Sequence, residues 1–274
     1  MPFRWDDPGS SFSDFLAAYR QQFPAGPGSI PLPASQPSLT PAGSGHAAWL
    51  PLPRGTTVLA LCYGDGAMVA GDRMATEGYQ VADRRIEKVF RADDHSAIAI
   101  AGTAGPCIEL ARLFQVELEH YEKLEGAQLS MEGKANKLAQ MVRANLPLAM
   151  QGLIVLPLFA GFDPKVGRGR IFKYDVAGGR YEEADYHATG SGGKDARTTM
   201  KKLYRPGLSR ADALAVVLEA LYDAAEEDVA TAGPDLIRNI FPTVKVIDRA
   251  GLTDVDESQI RPLMTRLIEQ RRRG

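Results

Sequence analysis

Cysteine is nearly absent: Cys62 and Cys107 are the only two in 274 residues, and they show no metal-type pair spacing. Both fall in apolar stretches and read as reduced core residues rather than as a disulfide. Long hydrophobic runs are missing as well. The longest, "GLIVLPLFAGF", is far short of the ~20 residues that a membrane-crossing helix needs, and Pro157 interrupts it, so it reads as a buried strand. Charge of one sign is also lacking. The 32 basic and 34 acidic residues leave a net charge of −2, which gives no electrostatic reason to expect nucleic acid or an anionic membrane as a partner. His46, His95, His120 and His187 are scattered and fit no metal-ligand spacing, and no Gly-rich phosphate loop follows a strand. The N-terminal "MPFRWDDPGSSF" lacks the basic-then-apolar layout of a secretory signal. These absences lead to the expectation of a cytoplasmic protein with no metal and no cofactor.

What is present divides at Gly55. Residues 1–55 hold one stretch of helical spacing, "SSFSDFLAAYRQQF", followed by "PAGPGSIPLPASQPSLTPAGSG", whose proline and glycine disfavour both helix and sheet. This segment reads either as a flexible tail or as a pro-segment guarding the residues after it. Beyond Arg54 the pattern turns regular. "TTVLALCY" and "AMVAGD" form a hairpin around "GDG", and "YQVAD", "IEKVF" and "SAIAIAG" are short strands. A strong helix runs through "PCIELARLFQVELEHYEKLEG" to Gly126, with Ile108, Leu110, Ala111, Phe114, Leu118 and Tyr121 at helical spacing, and a second spans about 131–146 and ends at Pro147. Three more strands come next ("LIVLPLFAGF", "GRIFKYDV", "GRYEEADYHAT"), then two helices, then "PTVKVID", the turn "RAG", a short strand and a final helix. Strands, two helices, strands, two helices, strands, helix: that order predicts an α+β fold, with two antiparallel sheets covered by helices on their outer faces.

The seam itself, "PLPRGTTVLAL", carries a chemical possibility. A threonine hydroxyl is a poor nucleophile until a base removes its proton. A threonine at a chain start brings that base with it, because a free α-amine titrates near ~7.7–8. An internal threonine, whose nitrogen is an amide, does not. Cutting between Gly55 and Thr56 would therefore convert a silent chain into an active one. Gly55 has no Cβ to obstruct attack of Thr56 Oγ1 on its carbonyl. By itself the tripeptide Gly-Thr-Thr reads equally well as the start of a strand.

The downstream motifs go further. "GTTVLAL", "VAGDRMAT", "RRIEKVF", "AIAGTAG", "ATGSGG" and "EEDVATAGPD" occur in that order, with Asp72, Lys88 and Gly102 lying 16, 32 and 46 residues after Thr56. This layout resembles the β subunits of the 20S proteasome, most closely the actinobacterial type with its long pro-segment, and the resemblance covers essentially all of residues 56–274. It implies the four-layer αββα sandwich of N-terminal-nucleophile hydrolases, with residues 1–55 removed by autocleavage. It implies Thr56 as nucleophile, Asp72 and Lys88 as its active-site pair, Gly102 as the oxyanion N–H, Ser191 beside the threonine amine and Asp228 as the second supporting aspartate. Where the family usually has serine three residues after that aspartate, this chain has Thr231, which keeps the hydroxyl with tighter sterics. The resemblance lines the pocket for the residue before the cut with Ala75, Ile86, Ile100, Ala104 and Ile108, and pairs the substrate backbone with Thr76, Gly102 and Ala104. All five pocket side chains are apolar, so cleavage after apolar, large residues is expected.

The same resemblance implies a threonine endopeptidase in heptameric β rings flanked by α rings. An AAA ATPase ring would feed it unfolded proteins, some tagged with a ubiquitin-like protein. Three alternatives stay open. An HslV-like peptidase also starts Thr-Thr but resembles a shorter chain with a minimal leader. A non-catalytic ring subunit would not need Thr56, Asp72 and Lys88. A different N-terminal-nucleophile amidohydrolase would act on small amides.

Overall fold

The computed structural model of the chain describes residues 56–77 and 80–273. The expected pro-segment of residues 1–55, with its helical stretch and Gly55, lies outside the described residues. The chain enters through β1 (Thr57–Tyr63) and β2 (Gly66–Gly71), a short hairpin β3 (Ala75–Glu77) and β4 (Gln80–Asp83), and then β5 (Val89–Asp93) and β6 (Ser96–Gly102). Three helices come after them, α1 (Ala104–Glu125), α2 (Met131–Ala144) and the single turn α3 (Leu146–Ala149). Next come β7 (Val155–Asp163), β8 (Arg168–Tyr174), β9 (Arg180–Glu183) and β10 (Tyr186–Gly190), then α4 (Gly193–Leu203) and α5 (Arg210–Glu227). The strands β11 (Thr243–Asp248) and β12 (Gly251–Asp254) and the helix α6 (Glu257–Arg273) complete it.

Two five-stranded sheets result, ordered β10-β1-β2-β11-β12 and β5-β6-β7-β8-β9, with every pairing antiparallel. The period-2 alternation of strand side chains explains how they stack. In β1, Leu59, Leu61 and Tyr63 face one core while Val58 and Ala60 face another; in β2, Met68 and Ala70 oppose Ala67 and Val69 in the same way. The first face meets α4, α5 and α6 through Met200, Val217, Leu221 and Met264. The second meets the other sheet through Ala97, Ala99, Leu158, Ala160 and Ile171. That sheet's far face, with Ile98, Ile100, Phe159 and Phe172, is covered by Leu110, Phe114 and Leu118 of α1 and Leu138 and Val142 of α2. Three cores between four layers make the αββα sandwich. Strands buried on both faces must be apolar throughout, which is why β1, β6 and β7 read as nearly continuous apolar runs.

Helix ends obey local chemistry. Ser209 caps α5 by accepting the Asp212 N–H, Ser130 caps α2 through the Gly133 N–H, and Gly126, at φ 67°, closes α1.

Four sequence expectations need correction. "GRYEEADYHAT" is two strands in different sheets, not one. After β9 pairs with β8, the chain crosses over at Asp185, whose carbonyl accepts the Cys62 N–H at 2.7 Å and leads β10 onto β1. β5 begins at Val89 rather than Ile86, because the Ile86 N–H is taken by the Arg73 carbonyl at 3.2 Å. The second helix stops at Ala144, and Pro147 opens α3 instead of ending α2. Cys62 is only half-buried, whereas Cys107 is buried.

Phe159 packs edge-on against Phe114 with ring centroids 5.6 Å apart and stacks on Phe172 at 6.1 Å. Phe159→Ala is expected to lower stability by about 3–5 kcal/mol, read as a fall in the urea midpoint; a loss below about 1 kcal/mol would contradict this packing.

Candidate active site

Asp72 follows β2 and is 1% exposed. Its Oδ1 accepts the Thr57 N–H at 2.9 Å and the Lys88 Nζ at 2.6 Å. Its Oδ2 accepts the Met74 N–H at 3.0 Å and the Ala232 N–H at 3.1 Å. A carboxylate offers about four acceptor sites, and all are filled. Lys88, 5% exposed, reaches Asp72 because residues 84–88 have left the sheet. Burial pushes the Lys88 ammonium below its ordinary range, while the adjacent Asp72 carboxylate, and Asp228 more weakly, pull it back.

A second cluster sits across Thr56. The Thr56 N–H points to Ser191 Oγ at 3.4 Å, and the Ser191 N–H donates to the Thr56 carbonyl at 3.0 Å. The Ser191 and Thr231 hydroxyls both donate to Asp228 Oδ2, and the Ala230 N–H donates to Oδ1 at 3.2 Å. The threonine at position 231 therefore keeps the hydrogen bond that a serine would make.

Beside Thr56 opens a small pocket lined by Ala75, Ile86, Ile100, Gly102, Ala104 and Ile108, together with Glu87, Lys88, Phe90 and Cys107. All five side chains expected from the sequence lie on its wall. Thr76, next along β3, does not line it; its buried hydroxyl has no partner among the described residues. Gly102 stands at φ 135°, and a Cβ there would lie 2.1 Å from the Ile154 carbonyl oxygen, so only glycine fits at this edge of the pocket.

Sequence reasoning missed several wall residues. Phe90 and Cys107 were invisible because strand and helix patterns show periodicity, not which neighbour faces a cavity. Glu87 was masked by its polarity. Its Oε1 accepts the Val89 N–H at 3.2 Å and its Oε2 the Thr243 hydroxyl at 3.4 Å, so the carboxylate is engaged within the fold. Burial raises the Cys107 thiol to about 12, against a smaller opposing pull from Lys88, leaving it a poor nucleophile near neutral pH. Thr56 lines this pocket together with Lys88, and its backbone is bonded to Ser191, so it stands next to members of both clusters.

The family model for proteasome subunits matches residues 52–236, more than half of the chain. The chain belongs to the proteasome subunit family. Among its relatives, a proteasome subunit beta of Acidimicrobium ferrooxidans is 58% identical over 224 residues, 81% of this chain and 82% of that one. One from Jonesia denitrificans is 50% identical across 96% of this chain and 83% of its own length. One from Streptomyces griseus is 51% identical across 98% and 93%. These relatives place it with the proteasome β subunits. No described helix is long and apolar enough to cross a membrane.

Asp72→Asn puts an amide donor where four donors already converge. Breaking a buried ion pair on one side costs about 3–5 kcal/mol. The variant is expected to lose at least that much stability in chemical denaturation and to hydrolyse peptides at least about a hundredfold more slowly. Wild-type stability would show that the Asp72 cluster is not what holds this region.

Proposed function

We propose that the chain is a threonine endopeptidase matured by cleavage between Gly55 and Thr56, so that residues 56–274 form the catalytic body and residues 1–55 a removable pro-segment. The observation that carries the reading is that Thr56, the residue at the sequence seam, bonds to Ser191 of one cluster and lines a pocket with Lys88 of the other. In the full chain the Thr56 nitrogen is an amide; once released it is an amine beside Ser191 and near Lys88. A nearby cation lowers the pKa of that amine and of the hydroxyl, favouring the neutral amine as base.

Atoms and protons then balance through the cycle. Thr56 Oγ1 attacks the scissile carbonyl carbon while its proton passes to the Thr56 amine. The oxyanion is met by the Gly102 N–H, an interaction worth several kcal/mol in comparable sites. The tetrahedral intermediate collapses, breaking the C–N bond, and the Thr56 ammonium returns the proton to the leaving amine. A water molecule, deprotonated by the same amine, attacks the Thr56 ester; the C–Oγ1 bond breaks, the ammonium returns its proton to Oγ1, and the acid leaves. Lys88 stays a positioned cation, and Asp72 fixes it. The substrate strand lies against the backbone at Thr76, Gly102 and Ala104.

The pocket favours apolar residues before the cut, since a charged side chain would lose its hydration without gaining a matching partner. Leu, Phe or Tyr at that position is expected to give kcat/KM at least about a hundredfold above Arg or Glu; equal rates for Arg would sink the preference.

As a proteasome β subunit it is expected to work within stacked rings of β subunits flanked by α subunits, in the cytoplasm, with an ATPase ring delivering unfolded proteins. Assembly is supported by the exposed apolar side chains Leu113, Val116, Leu124, Met150, Val229 and Ile237. The non-catalytic and small-amide alternatives lack support from the paired clusters and the strand-lined pocket.

Thr56→Ala tests the reading. The variant is expected to retain residues 1–55 by intact mass and to lose peptide hydrolysis at least about a thousandfold. Normal hydrolysis by Thr56→Ala would overturn it.

A further inference from the structure

Thr57 is fully buried and is not among the residues to which the sequence motifs gave a role. Its main chain is locked to Asp72 from both sides. Its N–H donates to Asp72 Oδ1 at 2.9 Å, and its carbonyl accepts the Asp72 N–H at 3.1 Å. Its side chain reaches the other cluster. Oγ1 accepts the Gly192 N–H at 3.1 Å and lies 2.7 Å from Thr231 Oγ1.

Proton counting fixes the direction of that last contact. A hydroxyl has one proton, and Thr231 gives its proton to Asp228. Thr57 must therefore donate to Thr231. One directed chain runs from the Gly192 N–H through Thr57 and Thr231 to Asp228 Oδ2, the oxygen to which Ser191 also donates, with the Thr56 nitrogen behind Ser191. The site is built to this tolerance: a Cβ on Gly192 would stand 2.5 Å from Thr57 Oγ1 and 3.0 Å from Thr231 Oγ1.

We propose that Thr57 is a positioning residue for hydrolysis, its hydroxyl coupling the Asp72–Lys88 pair to the Ser191–Asp228–Thr231 cluster. This rests on the reading of Thr56 as nucleophile. A freed N-terminus is a single residue on a rotatable stem, and residue 57 is where that stem is clamped. With the Thr57 backbone held by the Asp72 carboxylate and its hydroxyl tied through Thr231 to the Asp228 carboxylate, the Thr56 amine and Oγ1 keep one orientation. Misplacement by about 1 Å at a reacting group can cost about a hundredfold in rate. Substrate binding, which uses the pocket and the strand edge, does not pass through this link.

The test compares full-length wild type, Thr57→Val, Thr57→Ser, Thr231→Val and the Thr57→Val/Thr231→Val double variant, with rates expressed per chain that begins at Thr56 by intact mass. Thr57→Val is expected to keep KM within about twofold while kcat falls roughly 10- to 100-fold. Thr57→Ser is expected to stay within about threefold of wild type in both. The double variant is expected to lose no more than the worse single one, as for residues on one chain of hydrogen bonds. Wild-type kcat in Thr57→Val, equal losses in the Val and Ser variants, or losses that multiply in the double variant would each overturn the inference. If Thr57→Val does not fold, Thr57→Ser decides: kcat within about threefold supports the hydroxyl's role, and a tenfold or greater loss overturns it. A wild-type chain that hydrolyses peptide without ever beginning at Thr56 refutes the nucleophile reading and this inference with it. A fault confined to the Thr57 variants, against a normal wild type, bears on Thr57 alone.

Discussion

Four donors close on one buried carboxylate, and each comes from a different part of the chain. Asp72 receives Thr57 from the first strand, Met74 from its own loop, Lys88 from the approach to the second sheet and Ala232 from the loop after α5. Taking a carboxylate and an ammonium out of water costs several kcal/mol for each ion, and the cost is offset only where the remaining acceptor sites are satisfied. Here they are, by three backbone N–H groups whose positions the fold dictates. The cluster thus ties both sheets and a helix-following loop to one point. It holds Lys88 on the wall of the pocket that Thr56 also lines, in a buried setting where charges are weakly screened.

The layers supply the rigidity that makes such a point useful. Alanine-rich faces, Ala97, Ala99 and Ala101 on β6 and Ala160 on β7, fill the space between the sheets, so β1 and β6 bring Thr56 and Gly102 to one pocket. Catalytic geometry set by strand ends is stiffer than geometry set by free loops, because a strand buried on both faces has no room to shift. The loop carrying Asp228, Ala230, Thr231 and Ala232 is not regular structure, yet it is pinned by bonds to the Asp228 and Asp72 carboxylates from Ala230, Thr231 and Ala232.

The layers were legible in the sequence because apolar alternation is local: "TTVLAL", "SAIAIAG" and the α1 repeat each report their own burial. The switch of sheets at Asp185 was not, since "RYEEADYH" has the same strand character on both sides of the crossing and only the pairing partners differ. The displaced start of β5 was hidden for a related reason. "IEKVF" satisfies a strand pattern, but a distant carbonyl, that of Arg73, claims the Ile86 N–H. The candidate site divides similarly. Thr56, Asp72, Lys88, Ser191 and Asp228 stand in motifs whose shared order and spacing carry a family resemblance, whereas Thr57 has meaning only through the direction of hydrogen bonds between residues more than a hundred positions apart. Tyr121 shows the opposite limit, since it has helical core spacing yet lies exposed.

The proposed chemistry waits on one bond, because in that proposal the Thr56 nitrogen becomes a base only after the peptide before it is broken. The most direct measurement tracks freshly purified full-length chain, with its assembly partners, over time. Intact mass gives the fraction of chains beginning at Thr56, and peptide hydrolysis is recorded in the same samples. The account predicts that rate rises in strict proportion to that fraction and extrapolates to zero where no chain is cut. Full activity while residues 1–55 remain attached would contradict it.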